Sequence, residues 1–258
     1  MEKLISNMTS GCKNCQSLFI KQYTKHVFCS LKCSNRYNLN NKNFSIILPQ
    51  DYSIDLAEFV GILLGDGNIS PYQIKIYLNL TEDKDYVSYI KSLSGKLFSG
   101  ATTSIVERKN KGTATITLSG KDITEFLKKI GLKSAKNRIP PWILKNQEFF
   151  KATIRGLIDT EGSIGFKYFS GRSGKYLYKQ LTFTNKNPVL LQFVEKHLKL
   201  LGYKPTLNSS KNIYLSNRMD IERYLIEIGS GNPKIAEKIL TTELKGYHWQ
   251  AVSMLTTV

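Results

Sequence analysis

One pattern is written twice in this chain, and a duplication restricts the available folds more than any other feature of the sequence. FVGILLGDGNI runs from Phe59 to Ile69, and TIRGLIDTEGSIGF runs from Thr153 to Phe166. Each copy sets two small residues four apart, Gly61 with Gly65 and Gly156 with Thr160, which puts them on one face of a helix. Each then places an acid before a glycine: Asp66 before Gly67, and Glu161 before Gly162. The acids lie 95 residues apart.

The elements after each copy repeat as well. QIKIYLNL alternates as a strand, DKDYVSYIKSLSGKLF has helical spacing, TTSIVER and TATITLSG form two strands around KNKG, and DITEFLKKIGL is helical. After the second copy, YLYKQLTFT alternates and NPVLLQFVEKHLKLLG is helical. KPTLNSS and NIYLSN then make a hairpin, and DIERYLIEIG closes with a helix. The expected fold is therefore α+β, two pseudo-symmetric αββαββα repeats. The first is expected over residues 52–140 and the second over 141–245, with a tail at 246–258. Bare helix faces at Gly61/Gly65 and Gly156/Thr160 should let the two helices touch, burying Ile62, Leu63, Leu64, Leu157 and Ile158. Gly67 and Gly162 read as left-handed helix stops.

Residues 1–45 form a separate expectation. All four cysteines of the chain lie there, as Cys12, Cys15, Cys29 and Cys33. The spacing is C-x2-C, thirteen residues, then C-x3-C, which suits one tetrahedral Zn2+ better than adventitious thiols or disulfides. The second pair should start a helix near Ser30. The Asn-rich stretch NLNNKNFSIILPQDYS, which holds Pro49, reads as a linker. With 37 Lys and Arg against 20 Asp and Glu, the net charge is +17, spread along the chain, and a polyanion is the expected partner. No apolar run reaches the roughly 20 residues that cross a bilayer, and the first ten residues lack a secretion signal's apolar core. A place inside the cell is expected, the cytoplasm in a prokaryote, or an organelle or nucleus.

FVGILLGDG and IRGLIDTEG resemble the paired signature helices of LAGLIDADG homing endonucleases, in the single-chain form carrying both motifs, over about Leu56 to Lys238. The FCS..C segment is similar to treble-clef zinc modules. The resemblance implies staggered cleavage of both strands of a long DNA site by phosphodiester hydrolysis, with short 3′ overhangs, by a monomer with internal twofold symmetry. An acid at a helix C-terminus opposes the helix dipole and two side by side repel, so a hard divalent cation, Mg2+ or Mn2+, is expected on Asp66 and Glu161. The carbonyls of Gly65 and Thr160 are further candidate ligands. The alternative is that each acid merely ends a helix in solvent. Lys136 and Lys234, which follow IGLKSA and IGSGNP 70 and 73 residues after their acids, resemble the family's peripheral active-site lysines. Lys133 competes with Lys136 for that role, and any of the three could instead be a solvated surface group.

Strand alternation sorts out the side chains that can meet a DNA groove. In the first repeat these are Gln73, Lys75, Tyr77, Asn79, Ser104, Arg108, Thr113, Thr115 and Thr117. In the second they are Lys167, Tyr176, Tyr178, Gln180, Thr182, Asn208, Asn212 and Tyr214. Lys109, Lys111, Arg172 and Lys175 on hairpin loops are expected at phosphates. Double-stranded DNA is thus the expected partner, along a saddle made by the two sheets. Rival readings on the same fold are an intron RNA maturase and a non-catalytic regulator. A further rival makes the cysteine module the principal nucleic-acid binder. An intein-borne form is not expected, because splicing needs a nucleophile at the start and His-Asn near the end, whereas Met1 opens the chain and SMLTTV closes it.

Overall fold

The computed structural model describes residues 9–40, 46–132, 138–171, 174–209 and 211–240. They fall into two compact units, residues 1–45 and 46–258. In the first unit, β1 (Thr9–Gly11) and β2 (Leu18–Ile20) form an antiparallel pair, followed by α1 (Leu31–Asn40). Ser30 Oγ accepts the Cys33 N–H at 3.2 Å, so Ser30 caps α1 and the second cysteine pair straddles the start of that helix.

The second unit holds both repeats. The first comprises α2 (Ile54–Gly65), β3 (Gly67–Ile69), β4 (Gln73–Asn79), α3 (Lys84–Leu97), β5 (Thr102–Arg108), β6 (Thr113–Ser119) and α4 (Lys121–Lys129). The second comprises α5 (Gln147–Glu161), β7 (Gly162–Gly171), β8 (Gly174–Thr184), α6 (Pro188–Leu200), β9 (Thr206–Leu207), β10 (Asn212–Leu215) and α7 (Arg218–Glu227), followed by α8 (Pro233–Leu240). The expected order stands, and the strands are permuted alike. One sheet runs β3-β4-β6-β5 and the other β7-β8-β10-β9. Helix α8, with Ile235 and Ile239 buried, has no helical counterpart among the described residues of the first repeat.

Local signals explain where the central helices begin. Ser53 Oγ accepts the Leu56 N–H at 3.1 Å and Asn146 Oδ1 accepts the Glu148 N–H at 2.8 Å, each satisfying an otherwise unpaired first-turn donor. Helix α2 is buried from Leu56 through Gly65, as expected of a helix packed on every side. In β4 the residues Ile74, Ile76 and Leu78 are buried, and in β6 so are Ala114, Ile116 and Leu118, so both strands turn one face to the core.

Two expectations need correction. Gly67 and Gly162 are not left-handed stops. Neither has positive φ, and Gly162 sits at φ −95° and ψ 163°. They are glycine because the chain doubles back on the helix it has just left. A Cβ on Gly67 would lie 2.5 Å from Leu63 Cα, and one on Gly162 would lie 2.8 Å from Ile158 Cγ2 and collide with the Ile158 carbonyl. Nor is the stretch before α2 wholly a linker. Ile46 and Leu48 pack against the core, Ile47 N–H donates to Ser99 O at 2.9 Å, and Tyr52 stacks on Trp142 at 4.3 Å.

Candidate functional site

The site grows from the contact between α2 and α5. A Cβ on Gly61 would strike the Thr153 carbonyl, and one on Gly156 would strike the Glu58 carbonyl and lie 2.8 Å from Ile62 N. Gly156 and Thr153 lie 95 positions beyond Gly61 and Glu58 respectively, so the second contact is the first with its partners exchanged. Such reciprocity defines a twofold relation. Gly65 and Thr160, themselves 95 apart, meet each other: a Cβ on Gly65 would run into Thr160 Oγ1 and lie 3.3 Å from Glu161 Cγ. A residue that touches its own equivalent sits on the axis. Thr160 Oγ1 turns back to the carbonyls of Gly156 (2.9 Å) and Leu157 (3.0 Å), and Thr153 Oγ1 bridges to Ala57 O at 3.1 Å. The five expected apolar residues Ile62, Leu63, Leu64, Leu157 and Ile158 are buried around this contact.

Asp66 and Glu161 therefore leave the two helices next to the axis, with the Glu161 side chain against the residue preceding Asp66. Asp66 ends α2 at φ −93° and ψ 6°, its N–H bonded to Ile62 O at 3.0 Å and its carbonyl accepting from Tyr77 N–H at 3.2 Å. Those bonds fix the backbone at the point where the carboxylate departs. Two hard carboxylates at the negative ends of touching helices suit a divalent cation.

The lysines fare differently. Lys136 lies outside the described residues, as does Lys133. Lys234 Nζ stands 3.0 Å from Glu82 Oε2 and 3.0 Å from Asp83 Oδ1, joining the first turn of α8 to the end of the first repeat's β4–α3 turn. Burial pulls its pKa down, but hydrogen bonds to those two acids more than offset that and hold it raised.

The sheet faces carry most of the expected readers in ordered rows. Strand register places Lys75, Thr117 and Ser104 in one row, Tyr77, Thr115 and Val106 in the next, and Asn79, Thr113 and Arg108 in a third, with Gln73 before them. Val106, half exposed amid this polar face, escaped the sequence reading. In the second sheet Lys167 pairs with Tyr178, and Thr182 lies between Ser163 and Tyr214. Gln180 departs from its expected exposure. Flanked by Gly165, it is covered and donates to Ser216 Oγ at 3.0 Å. Asn208 donates to Tyr214 Oη at 2.8 Å and accepts from Asn212 N–H at 3.0 Å, while Asn212 Oδ1 accepts from Thr184 Oγ1 at 2.6 Å, so these three tie the hairpin together. Tyr176 is placed on β8 by its backbone only; Lys175 is placed likewise, and Arg172 lies outside the described residues.

Sequence reasoning missed a polar cluster on the flank of the helix pair. Buried Glu58 is ion-paired to Arg155 and accepts from Tyr89 Oη at 2.6 Å, and Arg155 Nη1 donates to Ile228 O at 3.1 Å. Asp159 accepts from Ser230 Oγ and from Gly231 N–H at 2.7 Å. Asn232 Nδ2 reaches Asp159 O at 3.0 Å and Asp83 Oδ1 at 3.1 Å. Burial pushes the Asp159 carboxyl up to about 7, past the lowering pull of the Ser230 and Gly231 hydrogen bonds. The signal was present in the repeat itself: Asp159 and Arg155 stand where the first copy has Leu64 and Val60.

In the first unit the four cysteine sulfurs lie within 4.8 Å of one another, with Cys15 to Cys29 and Cys29 to Cys33 each at 3.5 Å. A tetrahedral site with Zn–S of about 2.3 Å has sulfurs about 3.8 Å apart, so the cluster is sized for Zn2+. Burial raises Cys12, but backbone N–H groups led by that of Cys29 outweigh it and hold the thiol at about 6. Sulfur neighbours led by Cys15 push Cys29 up to about 12.

Comparison with known proteins agrees with this geometry. Residues 148–229 match the family model described as a LAGLIDADG-like domain. That segment spans α5 through α7 of the second repeat. The crystal structure of I-DmoI in complex with DNA and Ca matches with a TM-score of 0.51 at 19% identity, over 71% of this chain and 96% of that one. The paired helix-and-sheet repeats of the second unit thus have the LAGLIDADG homing endonuclease fold. The chain is 29% identical over 210 residues to the replication factor C small subunit of Methanocaldococcus jannaschii, covering 78% of this chain and 11% of that protein. It is 22% identical over 188 residues to an uncharacterized protein of the same organism, covering 69% and 68%. The chain thus spans about a tenth of the length of the first of these relatives. The LAGLIDADG-like segment includes Glu161 and the buried Asp159, and Asp66 meets it from the other copy.

Proposed function

We propose that this protein is a sequence-specific homing endonuclease that makes a staggered double-strand break in a long DNA target by metal-dependent phosphodiester hydrolysis, and that it is intron-encoded. The observation that carries this reading is the exchanged pair of glycine contacts, which sets Asp66 and Glu161 beside one axis. Two backbones of a duplex are themselves related by a twofold, so one acid from each helix can serve each strand.

Asp66 and Glu161, with the carbonyls of Gly65 and Thr160, would hold Mg2+ or Mn2+. When bound, such a cation neutralises charge at phosphorus and on the departing oxygen. The chain's own part is to hold the two acids in register through the glycine contact and to fix the Asp66 backbone through Tyr77 and Ile62. Lys234 and Lys136 are assigned the balancing of charge that develops on the phosphate. In each cut, water adds to phosphorus and the bond to the 3′ oxygen breaks, leaving a 3′ hydroxyl and a 5′ phosphate. The rows Lys75–Thr117–Ser104, Asn79–Thr113–Arg108 and Lys167–Tyr178 would face base edges, and the loop residues Lys109 and Lys111 the phosphates.

The test is cleavage of a duplex library with Mg2+ and with EDTA, followed by mapping of the ends. Staggered cuts that require the metal support the proposal. Tight duplex binding without cutting under any divalent cation overturns it in favour of a non-catalytic regulator, and preference for folded intron RNA overturns it in favour of a maturase.

A further inference from the structure

The first unit has more to offer than a metal site. No Asp or Glu occurs between Glu2 and Asp51, whereas Lys13, Lys21, Lys25, Lys32 and Arg36 all lie in its described part. Four of the five are exposed and Lys21 is partly so. Lys32 and Arg36 are four apart on α1 and share one face of it. Four thiolates around Zn2+ leave a double negative charge at the centre, so the unit as a whole stays cationic. Between the cations the surface is not idle. Leu18 and Ile20 on β2 and Leu31 at the start of α1 are exposed, and Tyr23 is 60% exposed with its ring stacked on His26 at 4.7 Å. A small module with no acid, several cations and exposed flat or apolar side chains matches a phosphate backbone with its sugars. It does not match a protein surface, which would call for compensating charge of both signs.

We infer that the cysteine module is a second duplex-DNA contact, binding the sugar-phosphate backbone without sequence preference. This inference does not depend on the cleavage chemistry proposed above.

The test compares the full chain with a variant carrying Lys13→Gln, Lys25→Gln, Lys32→Gln and Arg36→Gln, four surface changes that leave the zinc ligands and Asp66 untouched. Both bind a duplex of unrelated sequence across a series of salt concentrations, with zinc content and thermal midpoint measured alongside. Each lost phosphate contact should lower the slope of log affinity against log salt by about 0.9, so a drop of about 2 to 4 is expected, with roughly tenfold weaker binding near 0.1 M salt. Zinc content and midpoint should not change. An unchanged slope and affinity overturn the inference. So does a lowered midpoint with an unchanged slope, which would place this face against the larger unit, and so does a slope change seen on single-stranded RNA but not on duplex DNA. If neither protein cuts any duplex while the slope still falls, the endonuclease reading fails and this one stands.

Discussion

The two signature helices are copies that differ where they are free to. Along their contact α2 and α5 obey one rule, with Gly61 and Gly156 making exchanged approaches and Gly65 meeting Thr160. On the flank they part company. Helix α2 has Val60 and Leu64, both buried and apolar, where α5 has Arg155 and Asp159, bonded to Glu58 and to the segment 228–231. Along these two helices the match is tightest where two backbones must approach to within van der Waals distance. Elsewhere each copy packs against different surroundings, and polar groups could enter once partners were at hand to satisfy them.

The comparison can be broken most directly at the acids. Asp66→Asn and Glu161→Gln should each reduce double-strand cleavage by at least about 1000-fold while leaving duplex affinity within a few fold, measured by gel cleavage and by binding in Ca2+. If one change alone leaves double-strand cutting intact, the two halves are not equivalent at the axis. Next in size, Glu58→Gln should destabilise the protein by about 3–5 kcal/mol in chemical denaturation, because it strands Arg155 beside a neutral partner. The equivalent change in the other copy, Thr153→Ala, should cost about 1 kcal/mol, since it loses only neutral hydrogen bonds.

Gly61→Ala and Gly156→Ala sharpen the symmetric side. Each forces a methyl into a facing carbonyl and should cost about 1–3 kcal/mol even after the gain in helix propensity. Agreement between the two within about 0.5 kcal/mol is expected, and a large inequality would mean that the exchanged contacts are not equivalent.

The smallest effect concerns pH. Because the Asp159 carboxyl is raised to about 7 in the folded protein, the folded state holds a proton that the unfolded state releases near its usual value. Stability from this group is therefore complete below about pH 4 and is lost as pH rises through about 7. Asp159→Asn should flatten that dependence, moving the thermal midpoint at pH 7 relative to pH 5 by roughly 5 °C compared with the unaltered chain.

Much of this was legible in the sequence, because helix and strand periodicity, the doubled acid-glycine motif and the cysteine spacing are local signals. The element order and the helix contact follow from them. What stayed hidden depended on tertiary proximity. Gly67 and Gly162 read as left-handed stops because helix ends favour such glycines, and only the return of the chain against Leu63 and Ile158 shows the other reason. Helix α8 has a readable Ile235/Ile239 pattern, but a reading built on repetition stops where repetition stops. Ile46, Ile47 and Tyr52 looked like linker because their neighbours in sequence are Asn and Pro, while their neighbours in space are Gly120, Ser99 and Trp142.

Trp142 also bears on how the halves come together. Its indole donates to Ile130 O at 3.0 Å and its ring stacks on Tyr52, so the passage from one repeat to the next is anchored at the base of the first. The union of α2 and α5 is then an intramolecular event whose extent does not depend on how many copies of the protein a cell makes. A gene expressed at a few molecules per cell would still yield fully assembled product, a condition that two separate chains at nanomolar abundance would meet only with a very tight dimer.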